Sequence, residues 1–156
     1  MIKAIIFDWG GVLIDNPAPV LIAYCSSYFN IPERELARVF HVYANSFQKG
    51  NIPENTLWEK VCSEFSIAKP EMSSLWANAF KKVYSGKKEV FSLASHLRKN
   101  GYKIGLLSNT ETSAMEFFYE KKYDMFDALV FSCKEGITKP ERRIYEIALE
   151  KLDVKA

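Results

Sequence analysis

The first hydrophobic stretch of the chain is interrupted by a single acidic residue. Ala4 to Phe7 are apolar, Asp8 follows them, and Gly10 and Gly11 precede a second apolar run, Val12 to Ile14. A continuous run rich in isoleucine predicts a β-strand buried on both faces, with Asp8 at its carboxyl end. Ligands bind at that edge of open α/β sheets, so Asp8 is a candidate site residue. A turn residue after an ordinary strand would have the same pattern.

Residues 17–84 carry hydrophobic positions at helical spacing in four successive segments, with no strand pattern between them. Each segment begins near a proline, a residue well placed in the first turn of a helix. The regular spacing of the aromatic residues indicates that they belong to a core rather than to a ligand cage. The four prolines are Pro17, Pro32, Pro53 and Pro70.

After residue 86 the pattern alternates between short apolar runs and helical spacing. The runs at 103–107 and 128–131 predict two more strands. Helical spacing predicts helices over 87–100 and 111–122, and one after Pro140 that closes the chain. Strands that alternate with helices imply parallel pairing through right-handed crossovers.

The whole pattern predicts an α/β fold with a three-layer, Rossmann-like parallel sheet. Residues 1–15 and 86–156 are expected to form this core, and residues 16–85 an inserted, all-helical cap of four helices. Three strands make a thin sheet, and the sequence stops directly after a helix. We therefore expect the 156-residue chain to be a fragment of a longer protein.

Composition narrows the functional classes. Hydrophobic residues make up 48% of the chain, enough for a substantial core. Its 21 basic and 19 acidic residues leave a net charge of +2, which provides no electrostatic case for binding nucleic acid or an anionic membrane. No segment approaches the ~20 apolar residues of a membrane span, and the N-terminus lacks a signal-peptide pattern. The sequence predicts a soluble, cytoplasmic protein and leaves its oligomeric state open.

The cysteines provide no framework for disulfides or metal. Cys25, Cys62 and Cys133 are odd in number, far apart and without metal-ligand spacing, which fits a reducing compartment. His41 and His96 fall within predicted helices, and we assign them structural or surface roles.

Polar residues follow all three predicted strands. Because the carboxyl ends of parallel strands share one edge, Asp8, Ser108, Asn109 and Lys139 are expected to converge there. A carboxylate can act as a covalent nucleophile, and a hydroxyl, backbone amides and an ammonium can hold phosphoryl oxygens. Mg²⁺ would offset the repulsion between carboxylate and phosphate. This combination indicates phosphoryl transfer.

Each residue also has a plainer interpretation. Ser108 is well placed to cap the following helix. Lys139 fits a surface position in a first helical turn, although a cation there opposes the helix dipole and so favours a functional role slightly.

Three segments together resemble the first three motifs of the haloacid dehalogenase (HAD) superfamily. They are Phe7 to Leu13, Leu106 to Thr110 and Gly136 to Tyr145. The resemblance covers the whole chain, including the helical insertion after the first motif. Around Gly10 and Lys139 it is closest to the sugar-phosphate phosphatases, which include the α-glucose-1-phosphate phosphatases.

The resemblance implies roles for individual residues. Asp8 would be the nucleophile and a Mg²⁺ ligand, and Gly10 would supply a backbone carbonyl to the metal. Ser108, Asn109 and Gly11 would bind the phosphoryl group, and Lys139 would hold it against Asp8. The cap would close over the site and select a small phosphorylated metabolite.

Two departures from the family pattern stand out. Most family phosphatases have a second aspartate, the general acid/base, where this chain has Gly10, and that role contributes about 10²–10⁴-fold. The fourth motif, an acidic pair that completes the Mg²⁺ shell, lies beyond the end of this sequence. We therefore expect the 156-residue chain to bind Mg²⁺ poorly and to turn over slowly.

Two alternatives stay open. One is a metal-independent 2-haloacid dehalogenase, a branch that also attacks with the aspartate but tends to carry an arginine soon after the first motif, whereas the first arginine here is Arg34. The other is a non-catalytic protein of the same fold that binds a phosphorylated ligand or a partner.

Overall fold

The strands form one parallel sheet whose carboxyl ends share an edge. The structure, a computed structural model, describes residues 2–155. Its strands are β1 (Ala4–Phe7), β2 (Lys103–Ser108) and β3 (Ala128–Phe131), in the order β1-β2-β3. Phe7 pairs with Leu106, and Ser108 with Phe131. The predicted α/β fold with a parallel sheet is confirmed.

Four consecutive helices separate β1 from the rest of the core, as the hydrophobic pattern predicts. Four more helices follow, of which the four-residue α7 was not predicted because it is too short to show helical periodicity. The helices are α1 (Ala18–Phe29), α2 (Glu33–Gln48), α3 (Glu54–Phe65), α4 (Leu75–Val83), α5 (Lys88–Lys99), α6 (Thr112–Glu120), α7 (Ser132–Glu135) and α8 (Arg142–Leu152).

Local signals explain several helix boundaries. Pro17 and Pro32 occupy the positions just before α1 and α2, and Asn30 ends α1 in a left-handed conformation with φ 53°. Ser74 caps α4, because its side chain accepts a hydrogen bond of 2.8 Å from the Ala77 N–H.

Trp9 ties the loop after β1 to the core. Trp9 is 2% exposed, and its ring centroid lies 5.2 Å from those of both Phe80 of α4 and Phe118 of α6. Because Trp9 directly follows Asp8, this packing fixes the direction in which the chain leaves the first strand.

Two burial predictions were wrong. β1 is not buried on both faces: it is an edge strand of the sheet in the described residues, and Ile6 is 37% exposed. The helical spacing of α5 predicts that Leu93 and Ala94 both point inward, but only Ala94 is buried and Leu93 is 50% exposed. The spacing of α6 leaves Phe118 or Tyr119 as the inward residue, and it is Phe118 that is buried, while Tyr119 is 45% exposed.

The division into a core and a cap stays a prediction, and its terminal residues, Met1 and Ala156, lie outside the described part. No helix between residues 2 and 155 is long and apolar enough to cross a membrane.

Candidate active site

A cavity of about 300 Å³ lies at the carboxyl edge of the sheet. Its lining includes Asp8 after β1, Ser108 at the end of β2, and Asn109 and Lys139 from the loops that follow. The parallel pairing therefore brings together four of the residues that the sequence singles out.

Lys139 and Asp8 form a direct ion pair in this cavity. The Lys139 Nζ lies 2.8 Å from the Asp8 Oδ2, and the two side chains are 23% and 39% exposed. The other carboxylate oxygen, Oδ1, accepts a hydrogen bond of 2.7 Å from the Trp9 N–H. Lys139 Nζ also donates to the Leu107 carbonyl at 3.3 Å. Both charged ends are thus held in place by the backbone around them.

Asn109 anchors the backbone of Lys139. The Lys139 N–H donates to the Asn109 Oδ1 at 2.8 Å, and the Asn109 Nδ2 donates to the Lys139 carbonyl at 3.2 Å. These paired hydrogen bonds fasten the loop before α8 to the end of β2. The Asn109 side chain therefore positions the lysine.

The loop before α8 is closed by a local contact that the sequence suggests in part. Glu141 Oε1 accepts hydrogen bonds from the Thr138 N–H at 3.1 Å and the Thr138 hydroxyl at 3.2 Å. Thr138 and Glu141, three residues apart, have the sequence spacing of a capping box. α8 begins at Arg142, one position after Glu141, so Thr138 does not cap the helix. Of the two hydrogen bonds of a capping box, only the one that Glu141 accepts from the Thr138 N–H is formed.

Ser108 is buried beside a second hydroxyl. It is 3% exposed, and its Oγ lies 2.6 Å from the Thr110 Oγ1, with either atom able to donate. The Thr110 N–H donates to the Ser132 Oγ at 2.8 Å, which ties this loop to the start of α7. Both hydroxyl side chains, Ser108 and Thr110, line the cavity.

The two glycines of the first motif lie in different surroundings. Gly10 lines the cavity. Gly11 does not belong to the lining: its N–H donates to the Ile14 carbonyl at 2.9 Å, and its carbonyl accepts from Lys87. The phosphate-binding role expected for Gly11 therefore has no free N–H to support it. Its φ of +83° favours glycine for conformational reasons.

Glu111 is a lining residue that sequence reasoning missed. It is 7% exposed, and its two oxygens accept hydrogen bonds from the Gln48 Nε2 at 3.2 Å and the Trp76 Nε1 at 3.3 Å. Burial raises the pKa of this carboxyl, outweighing the hydrogen bonds that lower it. The sequence carries no signal that Glu111 belongs to a site, because acidic residues just before a helix commonly stabilise the helix dipole.

The rest of the cavity wall is largely apolar. Large hydrophobic residues of α1, α2 and α4 line it together with the charged residues of the sheet edge. They are Leu21, Ile22, Phe40, Trp76 and Phe80.

The donor set at the sheet edge suits a hard cation. Asp8 and Gly10 line one cavity, and the Gly10 carbonyl accepts no hydrogen bond from residues 2–155. Oxygen donors of this kind are the ligands that Mg²⁺ prefers, with water at the remaining positions. The described part of the chain has no group of three or more His, Cys, Asp or Glu residues able to hold a metal. The available protein ligands are thus few but of the right chemistry.

Comparison with known proteins gives a family and more distant relatives. Residues 2–156 match the family of haloacid dehalogenase-like hydrolases. Acyl-CoA dehydrogenase family member 10 of Mus musculus is 29% identical over 97% of this chain, which spans 15% of the mouse protein's length. Sesquiterpene phosphatase astK of Aspergillus oryzae is 24% identical over 99% of this chain, which spans 76% of that protein.

Solved structures share the fold. A mutant HAD family enzyme from Bacteroides thetaiotaomicron, in complex with magnesium and inorganic phosphate, has a TM-score of 0.78 at 19% sequence identity. The match covers 99% of this chain and 80% of the Bacteroides chain. The L-2-haloacid dehalogenase from Xanthobacter autotrophicus, with chloropropionic acid covalently bound, has a TM-score of 0.66 at 18% sequence identity. The match covers 99% of this chain and 66% of the dehalogenase chain.

Proposed function

This chain belongs to the haloacid dehalogenase-like hydrolase family, and we propose that it hydrolyses the phosphate ester of a small metabolite in a Mg²⁺-dependent reaction at Asp8. The observation that carries this proposal is the ion pair of 2.8 Å between Lys139 and Asp8, beside the Ser108 hydroxyl in one cavity. A nucleophile, a cation and a hydroxyl so arranged suit a phosphoryl group.

Each residue then has a specific task. The Asp8 carboxylate attacks phosphorus, and an aspartyl phosphate forms as the ester oxygen leaves. Lys139 balances the charge that Asp8 and the phosphoryl group share, while the Ser108 hydroxyl and the Asn109 backbone amide bind phosphoryl oxygens. The Asn109 side chain holds Lys139 in register through its two hydrogen bonds.

Asp8 and the Gly10 carbonyl are the protein groups that would hold Mg²⁺. When bound, the ion supplies positive charge that offsets the repulsion between the carboxylate and the phosphate. The Bacteroides HAD family enzyme in complex with magnesium and inorganic phosphate supports the same combination here.

The apolar wall bears on the choice of substrate. The sequence resemblance favours a sugar phosphate, whereas Leu21, Phe40 and Phe80 offer no hydrogen bonds to sugar hydroxyls. A phosphate ester of a hydrophobic alcohol is therefore a second candidate, and the fungal relative named as a sesquiterpene phosphatase supports it.

Phosphate release tests the proposal against its alternatives. We expect the protein to release phosphate slowly from p-nitrophenyl phosphate in Mg²⁺, to lose this activity in EDTA, and to lose it in the Asp8→Asn variant. Chloride release from 2-chloropropionate in EDTA would instead identify a dehalogenase. A rise in melting temperature with a phosphorylated ligand, but no phosphate release, would identify a binding protein.

A further inference from the structure

Glu111 is buried in the cavity without a cationic partner. Within residues 2–155, no lysine, arginine or histidine nitrogen lies within the 4.0 Å that defines an ion pair with it. Its hydrogen-bond partners, the Gln48 amide and the Trp76 indole, are neutral. Burying an unpaired carboxylate is costly, and the cost falls when the group is protonated.

The two hydrogen bonds fix the direction of the carboxyl group. Gln48 ends α2 and Trp76 lies in α4, whereas Glu111 directly precedes α6. One donor reaches each carboxyl oxygen, so each oxygen keeps capacity for a further contact. A group that served only to join these helices would not need to line the cavity that also contains Asp8 and Ser108.

The cavity offers few other groups for proton transfer. Its titratable lining residues, within the described part of the chain, are Asp8, Lys139 and Glu111. Asp8 and Lys139 are paired with each other, and Gly10 has no side chain. Cys133 of α7 also lies near enough for the Glu111 charge to raise its thiol pKa, but burial is the larger cause and the thiol is outside the cavity lining.

We propose that Glu111 is the general acid and base of this site, a catalytic role that rests on the proposed phosphatase function. When Asp8 forms its bond to phosphorus, the phosphorus–oxygen ester bond breaks, and the ester oxygen keeps the electron pair. The Glu111 carboxyl donates its proton to that oxygen, so the alcohol leaves neutral and Glu111 becomes a carboxylate.

The second step restores the starting state. A water molecule forms the new bond to phosphorus, its proton passes to the Glu111 carboxylate, and the bond between phosphorus and the Asp8 oxygen breaks. Inorganic phosphate leaves, Asp8 is again a carboxylate and Glu111 is again protonated. Burial raises the pKa of Glu111, a shift in the direction that favours the protonated form needed to donate to the leaving oxygen.

The test compares leaving groups. kcat/KM reports the step in which the ester bond breaks, so we compare p-nitrophenyl phosphate, whose phenolate leaves without a proton, with a simple alkyl phosphate. Glu111→Gln is expected to lower kcat/KM for the alkyl phosphate by about 10²–10⁴-fold. The loss for p-nitrophenyl phosphate should stay below about tenfold, because only proton donation is removed.

Glu116→Gln is the matched control. Glu116 is an exposed residue of α6 that does not line the cavity, so the ratio of the two kcat/KM values should stay that of the wild type. If Glu111→Gln lowers kcat/KM for both substrates equally, Glu111 is a structural contact and the assignment is wrong. If the wild type releases phosphate from neither substrate, the proposed phosphatase function itself fails.

A wild-type measurement covers the case in which Glu111→Gln does not fold. Across a series of substituted phenyl phosphates and alkyl phosphates, kcat/KM should depend only weakly on the pKa of the leaving alcohol. A steep dependence would mean that no acid protonates the leaving oxygen, which would overturn the role of Glu111.

Discussion

Lys139 Nζ lies 2.8 Å from Oδ2 of Asp8, although the whole of the helical insertion and two strands separate them in the sequence. The parallel sheet brings the end of β1 beside the end of β2, and the Asn109 side chain fastens the Lys139 loop to the same edge. This contact is the centre of the proposed site.

Replacing Lys139 tests the cation in that pair. Lys139→Met should lower kcat for p-nitrophenyl phosphate by about 10²–10³-fold, because the charge on the phosphoryl group is no longer balanced. The free energy of unfolding should change by less than about 1 kcal/mol, since the pair is partly solvated. Steady-state kinetics and urea denaturation measure the two effects. Lys103→Met, at the opposite end of β2, is the control and should keep full activity.

Replacing Asn109 tests the positioning of Lys139. Asn109→Ala removes both hydrogen bonds to the Lys139 backbone, so the ammonium should drift and kcat should fall by up to about 100-fold. Asn100→Ala removes an exposed side chain that donates only to the His96 carbonyl, and kcat should not change. Equal kcat values for Asn109→Ala and the wild type would contradict this role.

A carboxylate placed at Gly10 should replace the proposed acid. Gly10 has no positive φ, and an added Cβ would meet the Pro17 Cδ at 3.3 Å, so a small shift suffices to admit a side chain. In the Glu111→Gln background, Gly10→Asp should restore part of the lost kcat/KM for an alkyl phosphate. Gly11→Asp in that background should restore none, because Gly11 does not line the cavity.

The raised pKa of Glu111 predicts a pH-dependent stability. The folded protein holds the Glu111 proton above the ordinary pKa of 4.5, so folding binds a proton in that range. As pH rises past about 4.5, the wild type should lose stability relative to Glu111→Gln, until the folded-state pKa is passed. Urea denaturation at a series of pH values measures this difference.

Glu150→Gln provides a comparison of opposite sign. Hydrogen bonds from Arg143 lower the pKa of Glu150, so the stability that this carboxylate contributes is present above its ordinary pKa and is lost as the pH falls. Relative to this variant, the wild type should gain stability as the pH rises. If Glu111→Gln and Glu150→Gln gave the same sign, Glu111 would not be the buried carboxyl described above.

Gly50 tests the contact between the end of α2 and the start of α7. It has a φ of +71°, and an added Cβ would lie 2.5 Å from the Cys133 carbonyl oxygen. Gly101 has a φ of +89° with no atom within 4 Å, so Gly101→Ala should cost only the backbone strain, about 1–3 kcal/mol. Gly50→Ala should cost more, because a backbone carbonyl must also move. Equal unfolding free energies for the two variants would show that the clash relaxes freely.

The sequence by itself determined the parallel sheet and the order of the strands and of the helices other than α7. It also placed Asp8, Ser108 and Lys139 at the ends of strands or in the loops that follow. These features depend on local spacing of apolar residues and on the rule that parallel strands end at one edge. The same rule predicts that distant polar residues meet there, as Asp8 and Lys139 do.

Only the tertiary structure decided which side chains the other elements bring to that edge. In the sequence, Glu111 is an ordinary acidic residue before a helix; in the structure it is buried and accepts hydrogen bonds from Gln48 and Trp76. The sequence resemblance implies that Gly11 binds phosphate, but its N–H donates to the Ile14 carbonyl. The sequence predicts that Ile6 is buried, but β1 lies at the edge of the sheet in the described residues, and Ile6 is 37% exposed. The neighbours that decide the surroundings of Glu111 are distant in the sequence, whereas Ile14 is only three positions from Gly11. The local pattern of apolar residues specifies neither contact, since burial and hydrogen bonding depend on how the chain turns and packs.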